Sequence, residues 1–212
     1  MVRIIDYKAG NAPSVMYAVK HLGFAAEYAR CAEDLNDATH IILPGVGTAK
    51  ETMASLEAMD MPFKLADAVF EEKVHFLGIC VGMQILFEHS EEGDTRGLCW
   101  LEGNVVKYNA NNVRVPQMGW NHVRYVKDTP LSPMGARLAP PQPEHFYFVN
   151  SYHVRPGDED DIWAVSCYDG DYVAAVQCFN IYATQFHIEK SGEAGLRLLR
   201  RFLELEGDLY AD

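Results

Sequence analysis

The run Phe76-Leu77-Gly78-Ile79-Cys80-Val81-Gly82-Met83-Gln84 constrains this chain more than any other segment. An apolar stretch enters it, a helical pattern leaves it, and one cysteine stands at the corner between two glycines. The pattern predicts a nucleophile elbow, a strained strand-to-helix turn that lifts one side chain off the end of a sheet. Small neighbours let backbone and substrate approach that side chain.

The segments before the elbow alternate between strand and helix patterns. Val2 to Asp6 reads as a short strand. After Asn11, the residues Val15, Ala18, Val19 and Leu22 recur at helical spacing, and Gly23 follows as a C-terminal cap. Ala25 to Arg30 and His40 to Leu43 read as the next strands, the latter ending at Pro44-Gly45-Val46-Gly47. Helical patterns cover Lys50 to Met59 and Phe63 to Glu72, and Val74 to Ile79 is the strand that delivers Cys80. This alternation predicts an α/β fold with a largely parallel sheet and helices on both faces. From about Gly103 to Phe186, short Val-, Tyr- and Phe-rich runs broken by turn residues predict antiparallel strands added to the same domain. The proline-rich stretch Asp128 to Pro143 reads as a surface loop. A last helix is predicted from Ser191 to about Glu206, with Leu196, Leu199, Phe202 and Leu203 on one face. No repeat or linker divides residues 1–212, which are read as one domain.

The 212 residues carry a formal charge of −12, and no cluster of lysines and arginines offsets it, so nucleic acid is excluded as a partner. Arg197, Arg200 and Arg201 read as a solvated helix face. No apolar run approaches the ~18 residues of a membrane span. The start Met1-Val2-Arg3-Ile4-Ile5-Asp6 lacks the layout of a signal peptide, which predicts a cytoplasmic protein with no membrane association. Cysteines stand at 31, 80, 99, 167 and 178, with no C-x-x-C pair. The spacing argues against a disulfide framework or zinc site. Four of them are expected to be small core hydrophobes, and only Cys80 has a motif around it.

A cysteine that starts a helix lies among unpaired amides and at the positive end of the dipole, which favours its thiolate. The plain alternative is a buried cysteine beside glycines needed for packing. The Val81 amide, next after the cysteine, is placed to donate to an oxyanion. The turn Gly45-Val46-Gly47 offers a second donor, or is an ordinary strand-to-helix turn. His187 is followed by Glu189 at i+2, and in extended chain both side chains point the same way. The carboxylate would then accept the far N–H of the imidazole and set its tautomer. The other seven histidines read as structural. Gln84, four residues after Cys80, is placed to bond a polar substrate, or is a solvated helix residue. No second histidine at metal-site spacing supports a metal, and no Walker A loop supports a nucleotide cofactor. In a doubly wound sheet ligands bind beyond the carboxyl ends of the strands. Gly45, Cys80 and His187 each follow a predicted strand.

Several segments together resemble the class I, triad-type glutamine amidotransferases, and among them the glutaminase subunits of imidazole glycerol phosphate synthase. They are Ile4-Ile5-Asp6-Tyr7 with Gly10-Asn11, Ile42 to Gly47, Leu77 to Gln84, Val115-Pro116 with Met118-Gly119-Trp120-Asn121, Tyr147 to Tyr152, and Gln185-Phe186-His187 with Glu189-Lys190-Ser191. The resemblance implies the single-domain class I amidotransferase fold, with Cys80 as nucleophile, His187 as general base and acid, and Glu189 as its orienting partner. It implies that Gln84, Gly47 and the backbone at Ser151 and Tyr152 hold L-glutamine, and that Val46 and Val81 supply oxyanion amides. Asn11, Trp120 and Lys190 match positions facing the synthase partner. That partner would be a (β/α)8-barrel cyclase in a heterodimer, receiving ammonia to make imidazole glycerol phosphate and AICAR. Four positions depart from the family's pattern: Lys8 for glycine, Gln117 and Asn150 for histidine, and Ile188 for proline. A sugar-amidotransferase glutaminase, a non-catalytic regulatory subunit and a cysteine hydrolase or peptidase are the alternatives.

Overall fold

The computed structural model describes residues 1–8, 10–133 and 144–207. Its first half is β1 (Val2–Ile5), α1 (Ala12–His21), β2 (Ala26–Ala29), β3 (His40–Gly45), α2 (Ala49–Ala58), α3 (Met61–Ala66) and β4 (His75–Cys80). β1 pairs in parallel with β2 on one side and β3 on the other, and β3 pairs in parallel with β4. Every residue of β3 and β4 is buried, the pattern of strands covered on both faces. The chain steps one way from β1 to β2 and the opposite way from β3 to β4. Right-handed crossovers then put α1 on one face and α2 with α3 on the other. α1 stops where expected: Gly23 has φ +88, Phe24 N–H bonds Val19 O and Gly23 N–H bonds Lys20 O, a Schellman closure.

The second half contains α4 (Val81–Gln84), β5 (Phe87–Ser90), β6 (Thr95–Arg96), β7 (Leu101–Lys107), β8 (Gln117–Tyr125) and β9 (Glu144–Asn150). It continues with β10 (Tyr152–Pro156), β11 (Ile162–Cys167), β12 (Asp171–Cys178), β13 (Ile181–Thr184) and α5 (Gly192–Leu203). The sheet runs β2-β1-β3-β4-β13-β12-β10-β7-β5-β6, with β11, β8 and β9 branching from β12. β13 joins β4 in parallel and β12 antiparallel, so it is the seam between the parallel half and the added antiparallel strands.

Four expectations need correction. The helix after Cys80 is a single turn, because Ile85, Leu86 and Phe87 are all buried and the chain goes on into β5 beside β7. The predicted helix over 63–72 is shared between α3 and a wider π turn at Asp67–Glu71. Cys31, Cys99 and Cys167 are exposed and Cys178 is half-buried, whereas Cys80 is the buried one. All four sit where the chain turns or an element ends: Cys31 caps a short 3-10 turn, Cys99 has φ +56, Cys167 closes β11 and Cys178 closes β12. The stretch from Asp128 is no plain surface loop, since Leu131 and Ser132 are buried and Ser132 Oγ accepts from the Trp163 indole at 2.7 Å. Its remainder, 134–143, lies outside the described residues. No helix among the described residues is long and apolar enough to cross a membrane.

At the amino ends of β3 and β4, His40 and His75 lie side by side with ring centroids 5.2 Å apart, and Phe202 of α5 packs edge-on to His40. Burial, the charge of His75 and the N-terminal ammonium lower the His40 pKa from 6.5 to about 4. A histidine with a depressed native pKa stabilises the fold above its unfolded pKa and loses that contribution as pH falls through the native one. The expected loss between pH 6.5 and about 4 amounts to at most about 3 kcal/mol. Thermal melts across that window should therefore fall less steeply for His40→Gln than for the unaltered chain. Parallel curves would refute the assignment.

Candidate active site

Three glycines allow the elbow. A Cβ at Gly82 would lie 2.1 Å from Leu43 O, one at Gly78 2.6 Å from Gly82 O, and one at Gly45 2.7 Å from Val81 Cβ and Gly82 N. The turn of α4 thus rests directly on the backbones of β3 and β4, at a distance only glycine permits. The strained residue is the cysteine itself, with φ 57 and ψ −107. A non-glycine residue held there costs about 1–3 kcal/mol. The strain aims the Cys80 thiol at Val149 O (3.7 Å) and under the Gln185 amide (Nε2 to Sγ 3.6 Å).

His187 and Glu189 meet by a different local geometry from the extended one predicted. Ile188–Lys190 form a 3-10 turn with His187 at its N-cap, and His187 Nδ1 lies 2.9 Å from Glu189 Oε1. The turn is bolted to β9: His187 N–H donates to Tyr147 O at 2.9 Å, while the Ser191 hydroxyl donates to His187 O and accepts from Tyr147 N–H. Ile188 is fully buried, so the turn closes by core packing without the family's proline. Burial alone would lower the His187 pKa, but hydrogen bonds and charge from Cys80 and Glu189 outweigh it and push it up to about 10. Burial opposes the Glu189 charge as well, and His187 nonetheless holds its pKa below the ordinary carboxylate value.

One cleft of ≈ 270 Å³ is lined by Val46, Gly47, Cys80, Val81, Gln84, Ser151, Tyr152, His187 and Lys190, gathering most of the residues singled out in the sequence. A larger groove of ≈ 620 Å³ lies around Phe63 and Trp100 and includes none of them. Gln84 is buried rather than solvated, donating to Tyr152 O at 3.1 Å and Gln185 Oε1 at 3.0 Å. It therefore props the Tyr152 backbone and the amide above Cys80. Trp120 stands outside the cleft, 58% exposed, edge-on to Tyr147. Asn11 turns inward and donates to Glu189 Oε1 at 2.7 Å. The Val46 amide engages the Tyr7 hydroxyl, whose pKa burial pushes up to about 12. Among the described residues no group of three or more His, Cys, Asp or Glu side chains is placed to hold a metal.

Two residues of the site had no signal as such in the sequence. Gln185 lies inside the His187 segment, where spacing assigns it no role. Glu92 lines the cleft and accepts from Ala49 N–H at the start of α2 at 2.8 Å; burial raises its pKa. Nothing local marks Glu92, which lies in a run of acidic residues. Gln117 and Asn150 prove to be one feature. They are partners across β8 and β9, and the buried Tyr108 hydroxyl bridges them, donating to Gln117 Oε1 at 3.3 Å and accepting from Asn150 Nδ2 at 3.2 Å. Lys8 has φ +67, a conformation that explains glycine as the common residue there.

This fold, with its cysteine elbow beside a buried histidine–glutamate pair, defines a glutamine amidotransferase. The family Glutamine amidotransferase class-I matches residues 3–205, and the chain belongs to it. Within that family its relatives include subunits of imidazole glycerol phosphate synthase. It is 42% identical over 207 residues to the imidazole glycerol phosphate synthase subunit HisH of Methanocaldococcus jannaschii, covering 97% of this chain and 100% of that one. The HisH of Rhodopirellula baltica is 43% identical over 204 residues, covering 95% and 96%. Among solved structures, PurLQS from Thermotoga maritima superposes with a TM-score of 0.75 at 19% identity, covering 95% and 96% of the two chains. At that identity the likeness shows the shared fold.

Proposed function

We infer that this chain is the glutaminase subunit of an imidazole glycerol phosphate synthase, hydrolysing glutamine to glutamate and ammonia in histidine biosynthesis. The observation that carries the chemistry is the meeting of Cys80 and His187 at one cleft, from segments 107 residues apart, with Glu189 bonded to His187. Full-length relatives named as subunits of that synthase support the pathway.

In this reading the Cys80 thiolate attacks the carboxamide carbon of glutamine, and the oxyanion forms against the Val81 amide at the start of α4. His187, oriented by Glu189, gives its proton to the departing nitrogen, so ammonia leaves and a glutamyl thioester remains. Water then attacks the thioester; His187 takes its proton, and glutamate departs as Cys80 is regenerated. Glu92, the one carboxylate lining the cleft among the described residues, suits the α-ammonium of the substrate. The second oxyanion amide, that of Val46, is turned toward the Tyr7 hydroxyl in this state. Its release on partner binding is the activating step we propose. A partner-bound structure with a glutamine mimic in which Val46 still faces Tyr7 would sink it.

The partner is a cyclase with a (β/α)8 barrel, docked as a heterodimer where Trp120, Met118 and Lys190 are exposed beside the cleft. A longer relative supports this pairing: the chain covers only 34% of the Arabidopsis thaliana imidazole glycerol phosphate synthase hisHF. Ammonia passed directly into such a barrel escapes protonation by solvent, and the pair works in the cytoplasm. The test is glutamate release from glutamine by the chain alone, with the cyclase, and with cyclase plus its nucleotide acceptor. Strong stimulation in the last mixture is expected, and Glu92→Gln should raise KM more than it lowers kcat. No stimulation, with Cys80 still labelled by a glutamine analogue, would leave the glutaminase and remove the pathway.

A further inference from the structure

The start of α1 breaks a local rule. Asn11 holds the N-cap position, where an asparagine side chain ordinarily accepts a hydrogen bond from the helix's own first amides. It makes no such bond here. Its Oδ1 accepts from the Ser14 hydroxyl at 2.7 Å, and the carboxylate on its other side, which can only accept, fixes the orientation of the amide. Its Nδ2 donates to Glu189 Oε1 at 2.7 Å, across 178 residues of sequence. That same oxygen meets His187 Nδ1 at 2.9 Å. The Glu189 side chain is fully buried, and Oε2 has no hydrogen-bond partner among the described residues. Two side chains therefore hold this buried carboxylate, both at one oxygen. One is the residue it orients, and the other is Asn11.

We propose that Asn11 is a positioning residue for the reaction: its amide locks Glu189 in the rotamer that orients His187, tying the loop between β1 and α1 to the triad. The inference rests on the reading of Cys80, His187 and Glu189 as the reacting group. An amide is suited to the task. It favours the charged carboxylate and has no proton of its own to exchange at neutral pH. Departure from capping is the mark of a side chain kept for something other than the helix. Movement of the first turn of α1 would reach His187 without any contact inside the cleft.

The test is the rate at which 6-diazo-5-oxo-L-norleucine labels Cys80 on the full chain, followed by mass spectrometry from about pH 5 to about pH 9. Aspartate caps a helix as well as asparagine does. A purely structural Asn11 therefore predicts that Asn11→Asp matches the unaltered chain in rate and pH profile. The proposal predicts the reverse. Asn11→Asp sets a second carboxylate against Glu189, slows labelling by about tenfold or more, and moves the acid limb to higher pH. Asn11→Ala, which removes the donor without adding charge, slows labelling less and shifts the limb less. Wild-type behaviour of Asn11→Asp, or equal profiles for all three, overturns the proposal. Glu189→Gln run beside them separates the two failures. If it labels normally, the triad reading itself falls; if it is impaired while Asn11→Asp is not, only the role of Asn11 falls.

Discussion

Replacing Cys80 with alanine is expected to lower glutamine hydrolysis by about 10⁴-fold or more, since the other members of a triad recover little without the nucleophile. The folded state should be almost unaffected, because alanine retains the Cβ and the strained backbone. Cys80→Gly separates the two properties. It is equally inactive, but glycine accepts φ 57 and ψ −107 without steric penalty. Against that gain stand the lost burial of the side chain and the greater freedom of glycine in the unfolded chain. Because alanine has lost most of the side chain already, the glycine variant should melt above the alanine variant, by an amount on the order of 1 kcal/mol. Both are measured by glutamate release and by thermal denaturation. Persistent hydrolysis in Cys80→Ala would remove the nucleophile assignment. A glycine variant less stable than the alanine variant would show that the elbow is not strained.

The largest stability effect is expected two residues away. In Gly82→Ala the new Cβ would fall 2.1 Å from the Leu43 carbonyl oxygen, which belongs to the fully buried β3 and has no room to retreat. The expected loss is about 4 kcal/mol or more, from overpacking against backbone rather than against a movable side chain. Glutaminase activity should fall with it, since relief comes only by lifting α4, with the Val81 amide, from the sheet. Gly157→Ala is the control. Its nearest contact is the Glu102 Cβ at 3.1 Å, which asks for a shift of only a few tenths of an ångström. Denaturant midpoints for the two variants decide the matter, and equal midpoints would refute the close approach of α4 to β3.

The sequence determined by itself those features whose causes are local. Gly-x-Cys-x-Gly needs its glycines because a turn must lie on a sheet, and this requirement is written in five adjacent residues. The strand and helix alternation up to Cys80 follows from hydrophobic period and turn residues, so β1 to β4 were legible to within a few residues. Where the reading failed, a distant contact had overruled a local pattern. Helical periodicity continued past Gln84, but burial of Ile85 to Phe87 beside β7 drew the chain into a strand. Extended chain was the simplest way to align His187 with Glu189, yet Tyr147 and Ser191 fold that segment into a turn that aligns them equally well.

Tertiary structure alone decided the rest of the site. Glu92 and Gln185 take their significance from placement, Glu92 lining the cleft and Gln185 lying against the Cys80 thiol, and both are placed only when β4, β9 and β13 converge. Gln117 and Asn150 looked like separate departures until strand register put them opposite one another with Tyr108 between. Asn11 matches a position facing the synthase partner by resemblance, and only the docking of α1 against the His187 turn reveals its bond to Glu189. Sequence periodicity reports what each residue does for its own element. A hydrogen bond across 178 residues depends on the relative placement of two elements, and packing of the whole core sets that.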